Sequence, residues 1–319
     1  MAQLRLEPPL GRFFQLIRPM EPVSAPKPFD SDAHYFQVKW DGVRMLVFKE
    51  GSAIRLQNRK GNPRTAQYPE LQSLARLIKA TDALLDGEIV VLKSGKPSFA
   101  RVLRRDLAGR ESVIKALSSQ MPCTYCVFDL LYIDGKDLSR LPLKERLQIL
   151  AGSVTAEKPL YLNDNFPSGL ELYRQVVEME LEGIVAKKKE SPYVFGVKSD
   201  YWLKIKPRRR LLCVVGGVTV QQGTVGSLLL GAYQDGRLLY LGRAGSGLTG
   251  NDLKLLKAYA AREAAGKPPF INPPAGKNIL WLEPRLTAMI EFAEWTADLR
   301  LRAPVVIGFS NRPPEEAAL

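Results

Sequence analysis

The chain has 319 residues, of which 45% are hydrophobic and 25% charged, which is the composition of a globular protein long enough for two domains. Its 46 Lys and Arg residues outnumber 33 Asp and Glu residues, so the net charge is +13 and the pI is near 9.6. This excess favours a polyanionic partner, with nucleic acid ahead of an anionic membrane surface.

Membrane insertion and export are not expected. No apolar run approaches the ~18 residues that span a bilayer, and the first residues lack the apolar centre of a signal peptide. We therefore expect a cytoplasmic protein without membrane association. The three cysteines fit a reducing compartment, and a zinc site is not expected because Cys123 and Cys126 lie on opposite faces of a predicted strand.

The first distinctive segment is the hexapeptide Lys39-Trp40-Asp41-Gly42-Val43-Arg44. Residues 1 to about 34 before it are proline-rich, with a possible short helix near Gly11 to Ile17. Apolar residues flank Asp41-Gly42 on both sides, which predicts two strands joined by a tight turn with positive φ. A deprotonated lysine amine can attack phosphorus, and neighbouring cations favour that form. Taken alone, the hexapeptide equally fits a surface lysine beside an ordinary hairpin.

The following segments alternate between predicted strands and helices. Strands are predicted at 53–59, 84–92, 125–133, 182–188 and 201–207, and helices at 69–78, 99–118, 142–150 and 170–181. Tight turns are predicted at Ser94-Gly95 and Asp134-Gly135. The 99–118 helix is basic, which indicates a solvated face or a contact with a DNA backbone; its arginines are Arg101, Arg104, Arg105 and Arg110.

The last strand of this series places two lysines together. Residues alternate along it, so Lys204 and Lys206 share one face while Leu203 and Ile205 share the other. Two amines on one strand face repel each other unless anions lie beside them. The pattern therefore indicates a phosphate site.

Composition changes at Pro207-Arg208-Arg209-Arg210, where we place the boundary between domains 1–207 and 208–319. Short strands are predicted at 211–220, 227–233 and 237–242, followed by a helix at 251–264. The second domain is completed by apolar segments at 281–283 and 288–296 and by a basic stretch with Arg300 and Arg302. This favours a small Greek-key barrel of the oligonucleotide-binding (OB) kind. The residues from Arg312 onward are expected to be loose.

Taken in order, the motifs resemble those of the covalent nucleotidyltransferases, which comprise DNA ligases, RNA ligases and capping enzymes. The matching segments are Lys39 to Arg44, Arg59 to Gly61, Asp86 to Glu88, Phe128-Asp129, Glu182 to Lys187 and Lys204 to Lys206. The fold that this resemblance implies is α+β, with an adenylation domain of antiparallel sheets flanked by helices and then an OB-fold β-barrel.

Two later segments are similar to the OB domain of small bacterial ATP-dependent DNA ligases, including the ligase module of multifunctional end-joining proteins. These are residues 240–248 and 291–302. The chain departs from that pattern at Ala303, where a histidine is usual, and near Ser310, where an arginine is usual.

The resemblance also implies roles. Lys39 would attack the α-phosphate of ATP, and Lys204 and Lys206 would offset charge on that phosphate. Glu88 and Glu182 would hold Mg²⁺, or Mn²⁺ in its place. ATP contacts would come from the following residues: Gln37, Val38, Arg44, Arg59, Glu88, Phe128, Lys187 and Arg302. AMP would pass to a 5′-phosphate in nicked duplex DNA before a 3′-hydroxyl seals the strand.

Alternatives remain open at this level. An RNA ligase or a GTP-using capping-type enzyme shares these motifs, and a non-catalytic nucleic-acid-binding protein is disfavoured because it needs no such set of lysines and glutamates. An NAD-using ligase is disfavoured because no four-cysteine zinc module is present. We expect a monomer that works with end-joining or base-excision repair proteins.

Overall fold

The structure is a computed structural model that describes residues 17–319 apart from 222, 277 and 297. It divides into two compact units, with the division between Lys206 and Pro207. The helix predicted near Gly11 lies outside the described residues except for its last residue.

The first unit contains two mostly antiparallel sheets and five helices among its described residues. Its strands are β1 (Glu21–Ser24), β2 (His34–Val38), β3 (Val43–Glu50), β4 (Ala53–Asn58), β5 (Asp82–Lys93), β6 (Lys96–Pro97), β7 (Cys123–Ile133), β8 (Lys136–Asp137), β9 (Leu160–Leu162), β10 (Ile184–Lys188) and β11 (Lys198–Ile205). Its helices are α1 (Leu74–Leu77), α2 (Phe99–Asp106), α3 (Glu111–Gln120), α4 (Leu143–Ser153) and α5 (Gly169–Glu178), with 3-10 turns at Thr65–Gln67 and Pro69–Ser73.

The two sheets lie face to face. The small sheet has the order β1-β11-β10-β2, and the large sheet has the order β4-β3-β5-β7-β8, with β6 beside β5 and β9 beside β7. An apolar cluster joins their inner faces, with Leu46 and Phe48 from β3 and Trp202 from β11. Helices α1, α2 and α4 cover the outer face of the large sheet, and α5 covers that of the small sheet. This layered α+β architecture confirms the predicted fold class.

The predicted hairpin at Asp41-Gly42 is wrong. Strand β2 pairs with β10 in the small sheet, whereas β3 pairs with β4 and β5 in the large sheet. The segment between them therefore crosses from one sheet to the other. Gly42 is needed for space rather than for positive φ, because a Cβ there would lie 2.2 Å from the Ile89 carbonyl oxygen and 2.9 Å from Cγ of Glu88.

Other local predictions in this unit are confirmed. The turn at Ser94-Gly95 has positive φ at both residues, and so does the turn at Asp134-Gly135. The predicted 99–118 helix is present as α2 and α3 with a break between them. Arg105 does not share a solvated face, because its side chain is buried and donates two hydrogen bonds to Glu70.

The second unit is a barrel-like sheet with one long helix. Its strands are β12 (Arg209–Gln221), β13 (Thr224–Gln234), β14 (Arg237–Ala244), β15 (Ile279–Trp281), β16 (Thr287–Phe292) and β17 (Val305–Ser310), and its helix is α6 (Gly250–Arg262). The sheet order is β14-β13-β12-β16-β17, with β15 beside β12. Val306 in β17 donates its N–H to the Ser246 carbonyl just after β14, which brings the two ends of the sheet together. The OB-type architecture is thus confirmed.

The C-terminal part of this unit differs from expectation. Strand β17 follows the basic stretch and is absent from the prediction. The last residues are not loose: a 3-10 turn at Pro314–Glu316 leads to Ala317, which is buried and accepts a hydrogen bond from the Tyr233 N–H. Short apolar segments such as Ala317-Ala318-Leu319 give no periodicity from which docking could be inferred.

We predict that Gly42→Ala destabilises the first unit by about 1–3 kcal/mol or more, since a rigid backbone carbonyl blocks the new methyl group. Urea unfolding followed by tryptophan fluorescence measures this. Gly109→Ala is the matched control, because a Cβ there meets nothing within 4 Å. Equal stability of the two variants would contradict the steric role of Gly42.

Candidate active site

The inner face of the small sheet presents polar side chains in rows across the strands. Gln37 of β2 lies opposite Val185 of β10, which lies opposite Lys204 of β11. Lys39 comes two residues after Gln37, just beyond β2, and its backbone N–H donates to the Gly183 carbonyl at 2.9 Å. Lys39 is thus fixed by the edge of the sheet, although it lies outside the strand itself.

Three amines and one carboxylate meet at this end of the small sheet. The Lys39 Nζ lies 2.5 Å from Oε2 of Glu182, and the Lys206 Nζ lies 2.6 Å from Oε1 of the same carboxylate. Burial lowers the pKa of Lys204, and the charges of Lys39 and Lys206 lower it further. The predicted grouping of Lys39, Lys204 and Lys206 is therefore present, with Glu182 bridging two of them.

Glu88 comes to the site from the inner face of the large sheet. Burial raises the pKa of its carboxyl group to about 8, with Lys39 and Arg44 acting in the opposite direction and Glu182 acting in the same direction. Lys39 and Glu182 are thus among the charged groups that act on Glu88. Both carboxyl groups, Glu88 and Glu182, therefore interact with the Lys39 amine.

Arg44 is held in place by a bidentate ion pair. Its Nε and Nη2 lie 2.6 and 2.5 Å from the two Asp86 oxygens, and Tyr193 donates its hydroxyl to the same carboxylate at 2.6 Å. The guanidinium also lies 4.7 Å from the centre of the Phe128 ring. Asp86, the first residue of the predicted Asp-Gly-Glu motif, therefore positions Arg44 in the structure.

Phe128 and Lys187 pack against each other in the inter-sheet core. The Lys187 amine lies 4.1 Å from the Phe128 ring centre and 4.0 Å from that of Trp202. Burial lowers the pKa of Lys187 to about 7. Phe128 is 8% exposed and Lys187 is 2% exposed, so the Lys187 amine is covered by the two rings rather than open at the surface.

The donor set suits a hard divalent cation. Glu88 and Glu182 offer carboxylate oxygens, which Mg²⁺ and Mn²⁺ prefer, and the raised pKa of Glu88 is what a nearby cation would reverse. Within residues 17–319, excluding the three undescribed positions, no group of three or more His, Cys, Asp or Glu side chains could hold a metal ion. Water or phosphate oxygens would have to complete the coordination of such a cation.

The remaining predicted site residues are Val38, Arg59 and Arg302. The Val38 side chain packs on the opposite face of the small sheet, in the core beneath α5, so only its backbone borders the inner face. Arg59 is 58% exposed and lies 3.8 Å from Glu21. Arg302 belongs to the second unit, where it pairs with Glu294 at 2.7 Å.

Sequence reasoning missed a polar group beside Gln37. The segment after β9 connects the two sheets: Asn163 donates its N–H to Val127 of β7, and Phe166 exchanges backbone hydrogen bonds with Phe36 of β2. Its Asn163 and Asn165 side chains bond to Gln37, and Asn163 also accepts a hydrogen bond from Trp40. The one available signal was the pair of asparagines in Asn163-Asp164-Asn165, which alone predicts only a loop.

Comparison with known proteins agrees with this fold. A family model described as the ATP dependent DNA ligase domain matches residues 16–206, and one described as the ATP dependent DNA ligase C terminal region matches residues 221–312. The multifunctional non-homologous end joining DNA repair protein LigD of Mycobacterium tuberculosis is 35% identical over 278 residues, which are 84% of this chain and 35% of that protein. A DNA ligase of Thermococcus fumicolans is 30% identical over 308 residues, which cover 88% of this chain and 53% of the relative.

A solved structure gives the same result. The mycobacterial DNA ligase D complexed with ATP and MES has a TM-score of 0.55 and 32% identity, with 96% of this chain and 99% of that chain covered. The fold is that of a nucleotidyltransferase domain followed by an OB-type domain. The chain belongs to the ATP-dependent DNA ligase family, and it spans about a third to a half of the length of the curated relatives it matches.

We predict that Glu88→Gln makes the free protein more stable relative to wild type as pH rises from about 5 to 8. The pKa of Glu88 is about 8 when folded and near 4.5 when unfolded, so the folded state binds the extra proton and wild-type stability falls across this window. The neutral amide avoids that loss. Urea unfolding at pH 5 and pH 8.5 should show the variant gaining about 1–3 kcal/mol between the two conditions.

Asp235→Asn provides the control for this comparison, since it removes a carboxylate from an exposed turn of the second unit. Its stability difference from wild type should stay constant between the two pH values. A pH-independent difference for Glu88→Gln as well would show that Glu88 is ionised in the free protein.

Proposed function

We propose that this chain is an ATP-dependent DNA ligase that seals nicks between a 5′-phosphate and a 3′-hydroxyl in duplex DNA. The observation that carries the proposal is the pairing of Lys39 and Lys206 with one carboxylate, Glu182, beside Lys204 and Glu88. Such a site has more positive charge than its own carboxylates offset. A nucleoside triphosphate supplies the anionic groups that it lacks.

The first step would form a lysyl-AMP. The deprotonated Lys39 amine attacks the α-phosphorus of ATP, the N–P bond forms, and the bond to pyrophosphate breaks. Glu182 accepts a hydrogen bond from the Lys39 amine and so orients it toward the inner face of the small sheet. Lys204 and Lys206 offset the negative charge that develops on the α-phosphate oxygens.

The next two steps would use the same groups. A 5′-phosphate oxygen of nicked DNA attacks the phosphorus of lysyl-AMP, which frees Lys39 and joins AMP to the DNA end. The 3′-hydroxyl then attacks the 5′-phosphate and expels AMP. A divalent cation bound by Glu88 and Glu182 would supply Lewis-acid stabilisation of the phosphate charge.

The roles of the other site residues are assigned from where their side chains lie. Phe128 would stack on adenine, and Lys187, whose amine lies 4.1 Å from the Phe128 ring centre, would hold the ring in position. Arg44, fixed by Asp86, and the exposed Arg59 would contact ribose or the nick phosphates. Arg302 would contact the pyrophosphate from the second unit, which we assign as the OB domain beginning near residue 208.

The biological setting follows from the relatives. Several of them are multifunctional non-homologous end joining proteins, so we propose a role in end joining or another form of DNA repair in the cytoplasm. No helix among the described residues is long and apolar enough to cross a membrane.

The direct test is covalent labelling. We expect α-labelled ATP with Mg²⁺ to leave acid-labile, base-stable label on the wild-type chain and none on Lys39→Ala. Lys144→Ala, which alters an exposed lysine paired with Glu190, should label normally. Sealing of DNA and RNA nicks is then compared.

Three results would overturn the proposal. Labelling of Lys39→Ala would show that another residue is the nucleophile. Labelling with GTP but not ATP would indicate a capping-type enzyme, and sealing restricted to RNA would indicate an RNA ligase.

We also predict that nick binding weakens by about tenfold or more as KCl rises from 50 to 200 mM, because each phosphate contact releases condensed counterions. The net charge of +13 motivates this expectation. Fluorescence anisotropy of a labelled nicked duplex measures the affinity, with sucrose at matched osmolality as control. Affinity independent of KCl would mean that binding does not depend on phosphate contacts.

A further inference from the structure

Helix α2 buries two charged residues and exposes three large apolar ones. Arg105 and Asp106 are buried on the side of the helix that packs on the protein. Phe99, Leu103 and Leu107, which caps the C-terminal end of the helix, are 44%, 37% and 70% exposed. A buried charge and an exposed group of large apolar side chains are both departures from the usual pattern of burial. Together they indicate that the outer side of α2 has a partner.

The buried charges fix the rotation of α2 about its axis. Arg105 donates to both oxygens of Glu70, at 2.7 and 2.9 Å. Asp106 accepts a hydrogen bond from the Tyr68 hydroxyl at 3.1 Å and pairs with Arg64 at 3.2 Å. A rotation that buried the exposed leucines would break these contacts and leave charges unpaired in the core. The packing beneath α2 therefore holds its apolar residues outward.

The exposed apolar residues form one stripe along the helix. Phe99, Leu103 and Leu107 are each four positions apart, so each is displaced by only about 40° around the axis from the one before. With a rise of about 1.5 Å per residue, the stripe is about 12 Å long. A straight apolar stripe of this length matches about two turns of a second helix laid along it.

The stripe lies within a basic surface. Between residues 99 and 115, the charged side chains that are exposed or partly exposed are four positive and one negative: Arg101, Arg104, Arg110 and Lys115 against Glu111. The ion pairs that the structure describes for this segment belong to its buried charges, so the three exposed arginines have no such partner among the described residues. Their charge favours an acidic partner.

Duplex DNA would account for the charge of this surface but not for its apolar stripe. Phosphates take contacts from cationic and polar groups, which would leave Leu103 and Leu107 uncovered. The position of α2 also favours a protein. Val102 of α2 packs in the apolar cluster on the outer face of the large sheet, so this sheet lies between α2 and the inter-sheet core.

We propose that the outer face of α2 docks an acidic amphipathic helix of a protein partner. This face comprises the stripe of Phe99, Leu103 and Leu107 and the flanking Arg101 and Arg104. The partner helix places apolar side chains spaced three or four residues apart on the stripe and carboxylates beside the arginines. The inference goes beyond the proposed function, because it concerns recruitment of a protein and not the chemistry of the nucleotide.

The test uses the full chain and a synthetic peptide as the probe. The peptide is fluorescein-labelled and about 18 residues long, or five helical turns, with leucines on one face and glutamates on the other. We expect saturable binding by fluorescence anisotropy. One control peptide has the same composition with its leucines dispersed around the helix, and another has lysines in place of the glutamates. Both should bind about tenfold or more weakly, since one lacks an apolar face and the other is repelled.

Substitutions on α2 locate the bound peptide. The double variant Leu103→Ser, Leu107→Ser should weaken peptide binding by about tenfold or more, because two apolar contacts are lost. Both side chains are exposed, so the variant should match wild type in urea unfolding and in lysyl-AMP formation. Leu255→Ser changes an exposed leucine of α6 in the second unit and should leave peptide affinity unchanged.

Replacing the arginines tests the charge contribution. The double variant Arg101→Ala, Arg104→Ala should weaken peptide binding by about two- to fivefold and make it less sensitive to KCl. If this variant weakens binding of a nicked duplex while peptide affinity stays at the wild-type value, the surface binds DNA and the proposal is wrong.

Three further results would also overturn it. Equal affinity for the amphipathic and dispersed peptides would show that charge alone drives binding. Wild-type peptide affinity in the double serine variant would place the peptide elsewhere on the chain. A wild-type dimer that becomes a monomer in the double serine variant, measured by light scattering, would show that a second copy covers the stripe. Because labelling of Lys39 tests the ligase assignment separately, either proposal can fail without the other.

Discussion

The site depends on one carboxylate held between amines. Glu182 precedes β10, where Gly183 lets the chain approach the end of β11: a Cβ at Gly183 would lie 2.3 Å from the Ile205 carbonyl oxygen. From this position Glu182 pairs with both Lys39 and Lys206, while Lys204 stays without an ion pair among the described residues. The single negative charge of Glu182 cannot balance three amines. The site can therefore accept further anionic charge from a ligand.

Buried ion pairs stabilise the large sheet behind the site. Arg44 pairs with Asp86 between β3 and β5, and Arg146 of α4 pairs with Asp129 of β7, with both of the latter side chains fully buried. Removing one partner of such a pair typically costs about 3–5 kcal/mol, because a charge is left unpaired in the core. The Arg44 guanidinium lies 4.7 Å from the Phe128 ring centre, and Trp202 packs edge-on against the same ring, so both side chains hold it in place.

Sequence reasoning succeeded where the determinants are local. Alternation along β11 placed Lys204 and Lys206 on one face, and Ser94-Gly95 identified a turn between paired neighbours. It failed at Asp41-Gly42, because β2 pairs with β10 about 150 residues later and no local signal distinguishes a hairpin from a crossing between sheets. The ordered motifs indicated which residues belong to one site. The hydrogen bonds of Asn163 and Asn165 to Gln37 could not be foreseen, because they require two loop asparagines to reach a strand far away in sequence.

Burial shifts the pKa values of two ionisable groups near the site, Glu88 and Lys187. Burial raises the pKa of Glu88 and lowers that of Lys187, so each group is shifted toward its neutral form. A divalent cation near Glu88 would favour its carboxylate, so binding of such a cation is linked to proton release from Glu88. Burial thus shifts both groups toward their neutral forms, so the region between the two sheets carries less charge than its residue types alone would suggest.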